Sequence, residues 1–241
     1  MKIVAIIQAR MTSTRLPGKV LMDIEGKPML WHLIERLKRS KRLNGIILAI
    51  PDTKENDTLE KYAQNNNIRY FRGSEEDVLS RYYEAAKKFG VDIIVRITSD
   101  CPLIDPQIVD NIIEKHLRTG ADYTSNAIKR TFPRGLDAEV FNFIVLETAH
   151  KEAKDQSDKE HVTLYIRNNS QIFNLADVMG DIDYSGMRWT VDEASDLDFV
   201  REIYKRLYRS DKIFFTNDII TILKKYPKLE DINKSVKQKD K

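Results

Sequence analysis

Between residues 10 and 19 the chain carries Arg10, Arg15 and Lys19 with three hydroxyls, a proline and a glycine, in the stretch RMTSTRLPGK. Three cations within ten residues repel one another unless an anion sits among them, since a unit charge pair near a protein surface is worth roughly 4 kcal/mol at 4 Å. Turn-forming residues can also aim several backbone N–H groups at one point and make an anion nest. A polyphosphate is the counter-charge that suits both features. The common phosphate motifs are absent: Val20 follows Gly18-Lys19 where a P-loop has Ser or Thr, and no GxGxxG follows the first apolar run. On charge alone a solvated basic loop is an equal reading, and the position directly after that run favours the phosphate site.

Two carboxylates extend the pattern. Asp100 comes just past DIIVRI (92–97), and Asp192 just past MRWTV (187–191). Alone, Asp100 reads as a turn residue and Asp192 as a helix N-cap. Both following strands at one sheet edge, beside a triphosphate, they read as a Mg²⁺ pair, with phosphate oxygens and water completing the shell. A further charged turn, FPRGLDAEVF, offers Arg134, Asp137 and Glu139 around Gly135, and KEHVTLYI offers Glu160 and His161. With Asn126 and Arg188 these are the candidates for a second-substrate pocket. Their plainer readings are a surface turn charge for Arg134, a solvated helix start for Glu139 and a capping or packing residue for His161. Trp31, His32, Tyr82 and Tyr83 lie in helical stripes and read as packing.

These groups need a scaffold that brings strand ends together. Short apolar runs at 2–7, 45–50, 68–71 and 92–97 read as buried strands. Helical patterns alternate with them. One begins at Pro28, one at Asn56 or Asp57, one from Ser74 to its stop at Gly90, and one from Pro106 to Gly120. This β-α-β-α order predicts an α/β fold with a mostly parallel, Rossmann-like sheet covered by helices on both faces. Ligands in such sheets sit beyond the carboxyl ends of the strands, where the 8–19 segment emerges. After residue 122 the alternation weakens. AEVFNFIVLETAHKEA and KEHVTLYIRNN read as helices, MRWTV as a late strand, and two helical segments close the chain. The expectation is one domain over 1–230 with an irregular insertion at about 123–185. A basic tail, 231–241, reads as solvated and disordered.

The 241 residues carry 40 Lys+Arg against 37 Asp+Glu, a net charge of +3 that gives no reason to expect a nucleic-acid partner. One cysteine, Cys101, excludes an internal disulfide and a CxxC zinc site, and suits a reducing cytoplasm. Arg10 interrupts the first apolar run too early for a signal segment, and no run approaches membrane-spanning length. A soluble cytoplasmic protein with no membrane partner is expected.

The stretches QARMTSTRLPGKVL, GSEEDVLSRYYEAA, RITSDCPLID, PRGLDAEVF, EHVTLYI and RWTVDEASDL together resemble the cytidylyltransferase family. More narrowly, they resemble its spore coat polysaccharide biosynthesis protein F branch, related to the CMP-sialic acid and CMP-Kdo synthetases. The resemblance covers nearly the whole chain. It implies a nucleotide-diphospho-sugar transferase fold, CTP as substrate, Mg²⁺ as cofactor, release of pyrophosphate, an anionic small-molecule acceptor and a homodimer. It implies that Arg10, Ser13, Arg15 and Lys19 hold the triphosphate, with Gln8 and Ala9 beginning the nucleotide site. Asp100 and Asp192 would bind Mg²⁺, while Ser74, Asp77 and Arg81 would contact base and ribose. By the same resemblance Lys19, Arg15, Asp100 and Asp192 would form the catalytic set. Two departures concern the second substrate: Gln8 stands where relatives with sugar-acid substrates have Pro, and Ser99-Asp100-Cys101-Pro102 where they have Gly-Asp-x-Pro. A glycosyltransferase or a non-catalytic nucleotide-binding module is the alternative. The first usually shows a closely spaced Asp-x-Asp, which the Asp100 region lacks.

Overall fold

Ile3–Gln8 (β1) is apolar on both faces and buried on both. Ile3, Ala5 and Ile7 enter one core and Val4 and Ile6 the other, as the two-residue period of a strand requires. The computed structural model describes residues 1–238. After β1 come a 3-10 turn, Lys19–Leu21, a small hairpin of β2 (Asp23–Ile24) and β3 (Lys27–Pro28), and α1 (Met29–Leu37). The regular alternation continues with β4 (Gly45–Pro51), α2 (Asp57–Asn65), β5 (Arg69–Gly73), α3 (Val78–Phe89), β6 (Ile93–Thr98) and α4 (Pro106–Thr119). The later half supplies β7 (Tyr123–Ser125), β8 (Glu139–Asn142), α5 (Phe143–Glu152), α6 (Gln156–Glu160), α7 (Leu164–Asn168), β9 (Leu175–Asp177), α8 (Ala194–Leu207) and α9 (Thr216–Lys225).

The sheet runs β5-β4-β1-β6-β8-β7-β9. Its first four strands are parallel, β8 is antiparallel to β6 and β7, and β9 is parallel to β7. Residues from α1, α4, α8 and α9 fill the core on one face, and residues from α3 and α5 the core on the other. The expected mostly parallel α/β architecture is present. From β1 the chain moves outward through β4 to β5 and then returns to the opposite side of β1 as β6. The strand order therefore reverses between β1 and β6, and the crevice at their carboxyl ends is the natural ligand position. The 9–18 loop leaves β1 there and Ser99-Asp100 leaves β6 there.

Four local expectations change. Residues 139–142 form β8 rather than a helix start, because Val140 and Phe141 bury on opposite faces of the sheet. The helix expected over 159–169 breaks into α6 and α7 around Val162, whose φ is +54. MRWTV is not a strand: beyond a single bridge, Arg134 to Arg188, its bonds go to loop backbone. Trp189 N–H donates to Arg134 O at 2.7 Å and Val191 N–H to Asp100 O at 2.8 Å. α3 begins at Val78, capped by Asp77, which accepts from Ser80 N–H, while Ser74 Oγ accepts from Asp77 N–H. The tail also starts later than expected. Residues 227–232 form a 3-10 helix with Leu229 buried, and Asn233 is buried at 4% exposure. Residues 234–238 are largely exposed, and the end of the basic tail, 239–241, lies outside the described residues.

Candidate active site

The 9–18 loop is fixed at both ends. Met11 N–H donates to Oδ1 of the fully buried Asn56 at 2.8 Å, and Gly18 N–H closes onto Met11 O at 2.9 Å. Thr12 Oγ1 donates to Glu75 Oε1 at 2.5 Å, tying the loop to the approach to α3. Gly18, with φ +72, turns the chain into the 3-10 segment that begins with Lys19.

Lys19 is 8% exposed, and its ammonium reaches across the crevice. Nζ donates to Val191 O at 2.6 Å and Asp192 Oδ1 at 3.1 Å, and lies 3.6 Å from Asp100 Oδ2. One cation thus stands between the two carboxylates singled out by sequence. Their meeting does not need the expected late strand, because the Val191 N–H to Asp100 O bond draws 191–192 against the end of β6. Asp192 Oδ2 also accepts from Arg188 Nη2 at 2.8 Å and forms an ion pair with Arg15 Nη2 at 2.9 Å. Burial alone would raise the Asp192 carboxyl, but Lys19, Arg188 and Arg15 hold it below the ordinary range. Arg15 Nη1 is buried and without a hydrogen-bond partner among the described residues.

Behind this cluster Asp196, fully buried, gathers five donors. Oδ1 accepts from Arg188 Nε at 2.9 Å and Asn233 Nδ2 at 3.0 Å. Oδ2 accepts from Arg188 Nη2 at 3.1 Å, Asp192 N–H at 2.9 Å and Glu193 N–H at 3.1 Å. Asp196 therefore orients both Arg188 and Asp192, and sequence reading missed it. The available signal was DEASD itself, in which Asp196 is the third residue of α8 and reaches back to the Glu193 backbone in a capping box.

On the β5 side, Arg81 is buried at 3% exposure and donates Nη1 to Ser74 O, while its Nε has no hydrogen-bond partner among the described residues. Burial, with the charge of Arg10 adding to it, pulls its pKa down to about 10. Arg10 itself is exposed and Ser13 half-buried. Ala9 is buried at the end of β1, and Gln8 Oε1 accepts from Arg96 Nη2 at 3.0 Å, holding Gln8 to β6. Asp77 and Ser74 serve the start of α3.

The second-substrate candidates divide. Gly135, with φ +105, crosses directly over the 189–190 backbone. A Cβ there would lie 2.6 Å from Thr190 N and from the Trp189 carbonyl carbon, so only glycine permits this approach. The crossing brings Arg134 beside Arg188. Asp137 pairs in a fork with Arg130, at 2.5 and 2.8 Å, and not with Arg134. Burial first, then Arg130 and, against the pull of Asp137, Arg188 lower the Arg134 pKa, so this guanidinium sits in a cationic corner. Glu139 belongs to neither the pocket nor a solvated helix start. It is buried on β8 and paired with Arg96, and it accepts from Tyr123 OH and Thr163 Oγ1, each at 2.6 Å. Burial would raise its carboxyl, but Arg96 and those donors bring it down to about 2. Asn126 is fully buried and spends its amide on Leu136 O and Ala138 N–H, which shapes the PRGLD segment from beneath. His161 ends α6, and Glu160 beside it is exposed.

The two carboxylates are hard oxygen donors of the kind Mg²⁺ takes. Among the described residues Asp100 Oδ1 is engaged only by the Cys101 thiol, at 3.4 Å, which leaves it available. Among the described residues no set of three or more His, Cys, Asp or Glu side chains could hold a metal. A cation here would therefore draw on ligand oxygens as well, and the donor set fits that arrangement.

The sequence model of the cytidylyltransferase family matches residues 4–239. The spore coat polysaccharide biosynthesis protein SpsF of Bacillus subtilis is 32% identical over 93% of this chain and 95% of its own length. A solved cytidylyltransferase from Leptospira borgpetersenii superposes with a TM-score of 0.92 at 33% identity, covering 99% of this chain and all of that one. A CMP:2-keto-3-deoxy-manno-octonic acid synthetase solved with CTP shares the fold, with a TM-score of 0.67 at 20% identity over 86% of this chain and all of its own. No helix among the described residues is long and apolar enough to cross a membrane.

Proposed function

The chain belongs to the cytidylyltransferase family and is a nucleotidyltransferase, and from that premise we propose that it couples CTP to an anionic sugar or small phosphorylated acceptor, with release of pyrophosphate, at the β1–β6 crevice. The observation that carries the reading is Lys19, held between Asp100 and Asp192 at the topological switch point. An acceptor oxygen attacks the α-phosphorus of CTP, the bond from that phosphorus to the β-phosphate bridging oxygen breaks, and pyrophosphate leaves. An acceptor phosphate needs no base, whereas an acceptor hydroxyl must give up its proton. Such transfer depends on in-line positioning and on neutralising charge that develops on the leaving group.

Lys19 and Arg15 supply that neutralisation from the loop after β1, and the buried Arg15 Nη1, 3.7 Å from Glu193 Oε1, has no hydrogen-bond partner among the described residues. Asp100 and Asp192 would hold Mg²⁺, which supplies Lewis-acid neutralisation of phosphate oxygens when bound. Arg10, Ser13 and Arg81, with the Gln8-Ala9 strand end, form the nucleotide side. Arg134, flanked by Arg130 and Arg188, forms the acceptor side, and an arginine fork suits carboxylate or phosphate equally. Surface polysaccharide biosynthesis is the context we propose, from the name of the Bacillus relative. Pyrophosphate release, measured for each NTP against sugar acids and phosphorylated small acids, tests the reading. Release with CTP and one anionic acceptor is expected, and release with another NTP alone would overturn the assignment.

A further inference from the structure

Asn233 and Gln238 lie in the segment that the sequence presents as a solvated tail, and both end on the catalytic cluster. The 3-10 helix Pro227–Ile232 packs against α8 through buried Leu229. That docking delivers the Asn233 amide, whose Nδ2 donates to Arg188 O and Asp196 Oδ1, each at 3.0 Å. Five residues on, Gln238 Oε1 accepts from Arg188 Nη1 at 2.7 Å. Arg188 Nε and Nη2 are taken by Asp196 and Asp192, so the C-terminal segment supplies the partner for the remaining arm. A buried amide with both donor contacts on one arginine–carboxylate pair fixes the backbone and the side chain of that arginine together.

We infer that the C-terminal segment is a positioning element of the active site: Asn233 and Gln238 clamp Arg188 so that its Nη2 holds Asp192 facing Lys19. Neither residue touches the reacting groups. They act through Arg188, as outer partners orient the inner ligands of a metal or phosphate site. A solvated tail would leave Arg188 Nη1 to water and its carbonyl without this donor. The inference rests on the reading of Asp192, which Arg188 holds, as part of a CTP site.

The test uses the full chain labelled with ¹⁵N-arginine. The Arg188 Nε–H signal is assigned as the one lost in Arg188→Lys, and its hydrogen exchange is followed in Asn233→Ala and Gln238→Ala. CTP affinity is measured calorimetrically on the same samples. Leu146→Ala, a buried site on α5 at the opposite face of the sheet, controls for general loss of stability. Exchange should accelerate about five-fold for each hydrogen bond lost. The CTP Kd should rise about tenfold in Asn233→Ala, the scale of lost outer-shell support, and stay unchanged in Leu146→Ala. Unchanged exchange in both tail variants overturns the clamp, and faster exchange with an unchanged CTP Kd overturns its positioning role. If Asn233→Ala fails to fold, the exposed Gln238→Ala decides by the same two readouts. A wild-type chain that binds no CTP would sink the functional reading instead, while the exchange data still judge the clamp.

Discussion

Lys19→Met removes one charge while keeping most of the side chain's volume, and its effect follows from the contacts of Nζ. The ammonium lies 3.1 Å from Asp192 Oδ1 and 3.6 Å from Asp100 Oδ2. At an effective dielectric of 20, such a pair is worth about 5 kcal/mol before desolvation is counted. Asp192 keeps Arg15 and Arg188, so the loss falls on Asp100, whose side chain is 26% exposed and partly solvated by water. The folded state should therefore weaken by only about 1–3 kcal/mol, below the cost of breaking a fully buried pair. Nucleotide binding should respond differently. If Lys19 meets the departing phosphates, CTP loses a charge contact that CMP never made. Loss of one such donor commonly costs about 10²–10³ in rate, and we expect CTP affinity to fall by about 10-fold to 100-fold. CMP affinity should change less than about threefold. Calorimetric titration of both nucleotides, with a thermal melt to establish folding, checks this. Equal losses for CTP and CMP would place Lys19 away from the leaving group and refute the reasoning.

Three further outcomes follow from other parts of the structure. Asp100→Asn and Asp192→Asn should each abolish pyrophosphate release while keeping the native circular dichroism. Near-full activity at low Mg²⁺ in either would return that residue to a turn or cap. Arg134→Lys should raise the acceptor KM strongly and leave CTP affinity nearly unchanged, because lysine lacks the fork. An unchanged acceptor KM would move Arg134 out of the pocket. Glu139→Gln should destabilise the chain by about 3 kcal/mol, because it leaves the Arg96 side chain, only 10% exposed, without its carboxylate. The folded carboxyl of Glu139 is lowered to about 2. Its stabilisation is therefore present above the unfolded value near 4.3 and is lost as pH falls from there towards 2. Urea midpoints between pH 5 and 2.5 should thus fall more steeply in wild type than in Glu139→Gln. Parallel slopes would contradict the pairing.

The first 120 residues were legible because each signal there is local. A run such as IVAIIQ, six residues long, β-branched and closed by turn residues, reads as a doubly covered strand, and the charged loop after it pointed to a ligand edge. The meeting of Lys19 and Asp100 was legible for the same reason, since they follow parallel neighbours in the sheet, whereas Asp192 was expected there on a late strand that does not form and arrives through the Val191 N–H to Asp100 O bond. The later half hid its order in long-range pairing. Glu139 looks like the polar start of a helix until β8 is seen to pair with β6, where Arg96 meets it. Asp137 stands three residues from Arg134 in sequence, yet its partner is Arg130, because Gly135 turns the segment across 189–190. Asn233 gave no sign at all. It lies among lysines, and only the docking of 227–232 on α8 carries it to Arg188. Asp196 was hidden by its ordinary explanation as a capping residue, a role it fills while also orienting Asp192.

Transfer of a cytidylyl group to an acceptor at the Lys19–Asp100–Asp192 crevice is tested most directly by ³¹P spectra of one reaction. Wild-type protein, CTP, Mg²⁺ and the acceptor that supports pyrophosphate release are followed with time, alongside Asp192→Asn. The three CTP signals should decay together as pyrophosphate and a new cytidylyl product grow in equal amounts. The product should show one phosphodiester signal for an acceptor hydroxyl or two coupled diphosphate signals, with loss of the acceptor's own, for an acceptor phosphate; the variant spectrum should stay still. Growth of CDP with inorganic phosphate, or the same new product in Asp192→Asn at the wild-type rate, would contradict transfer at this crevice.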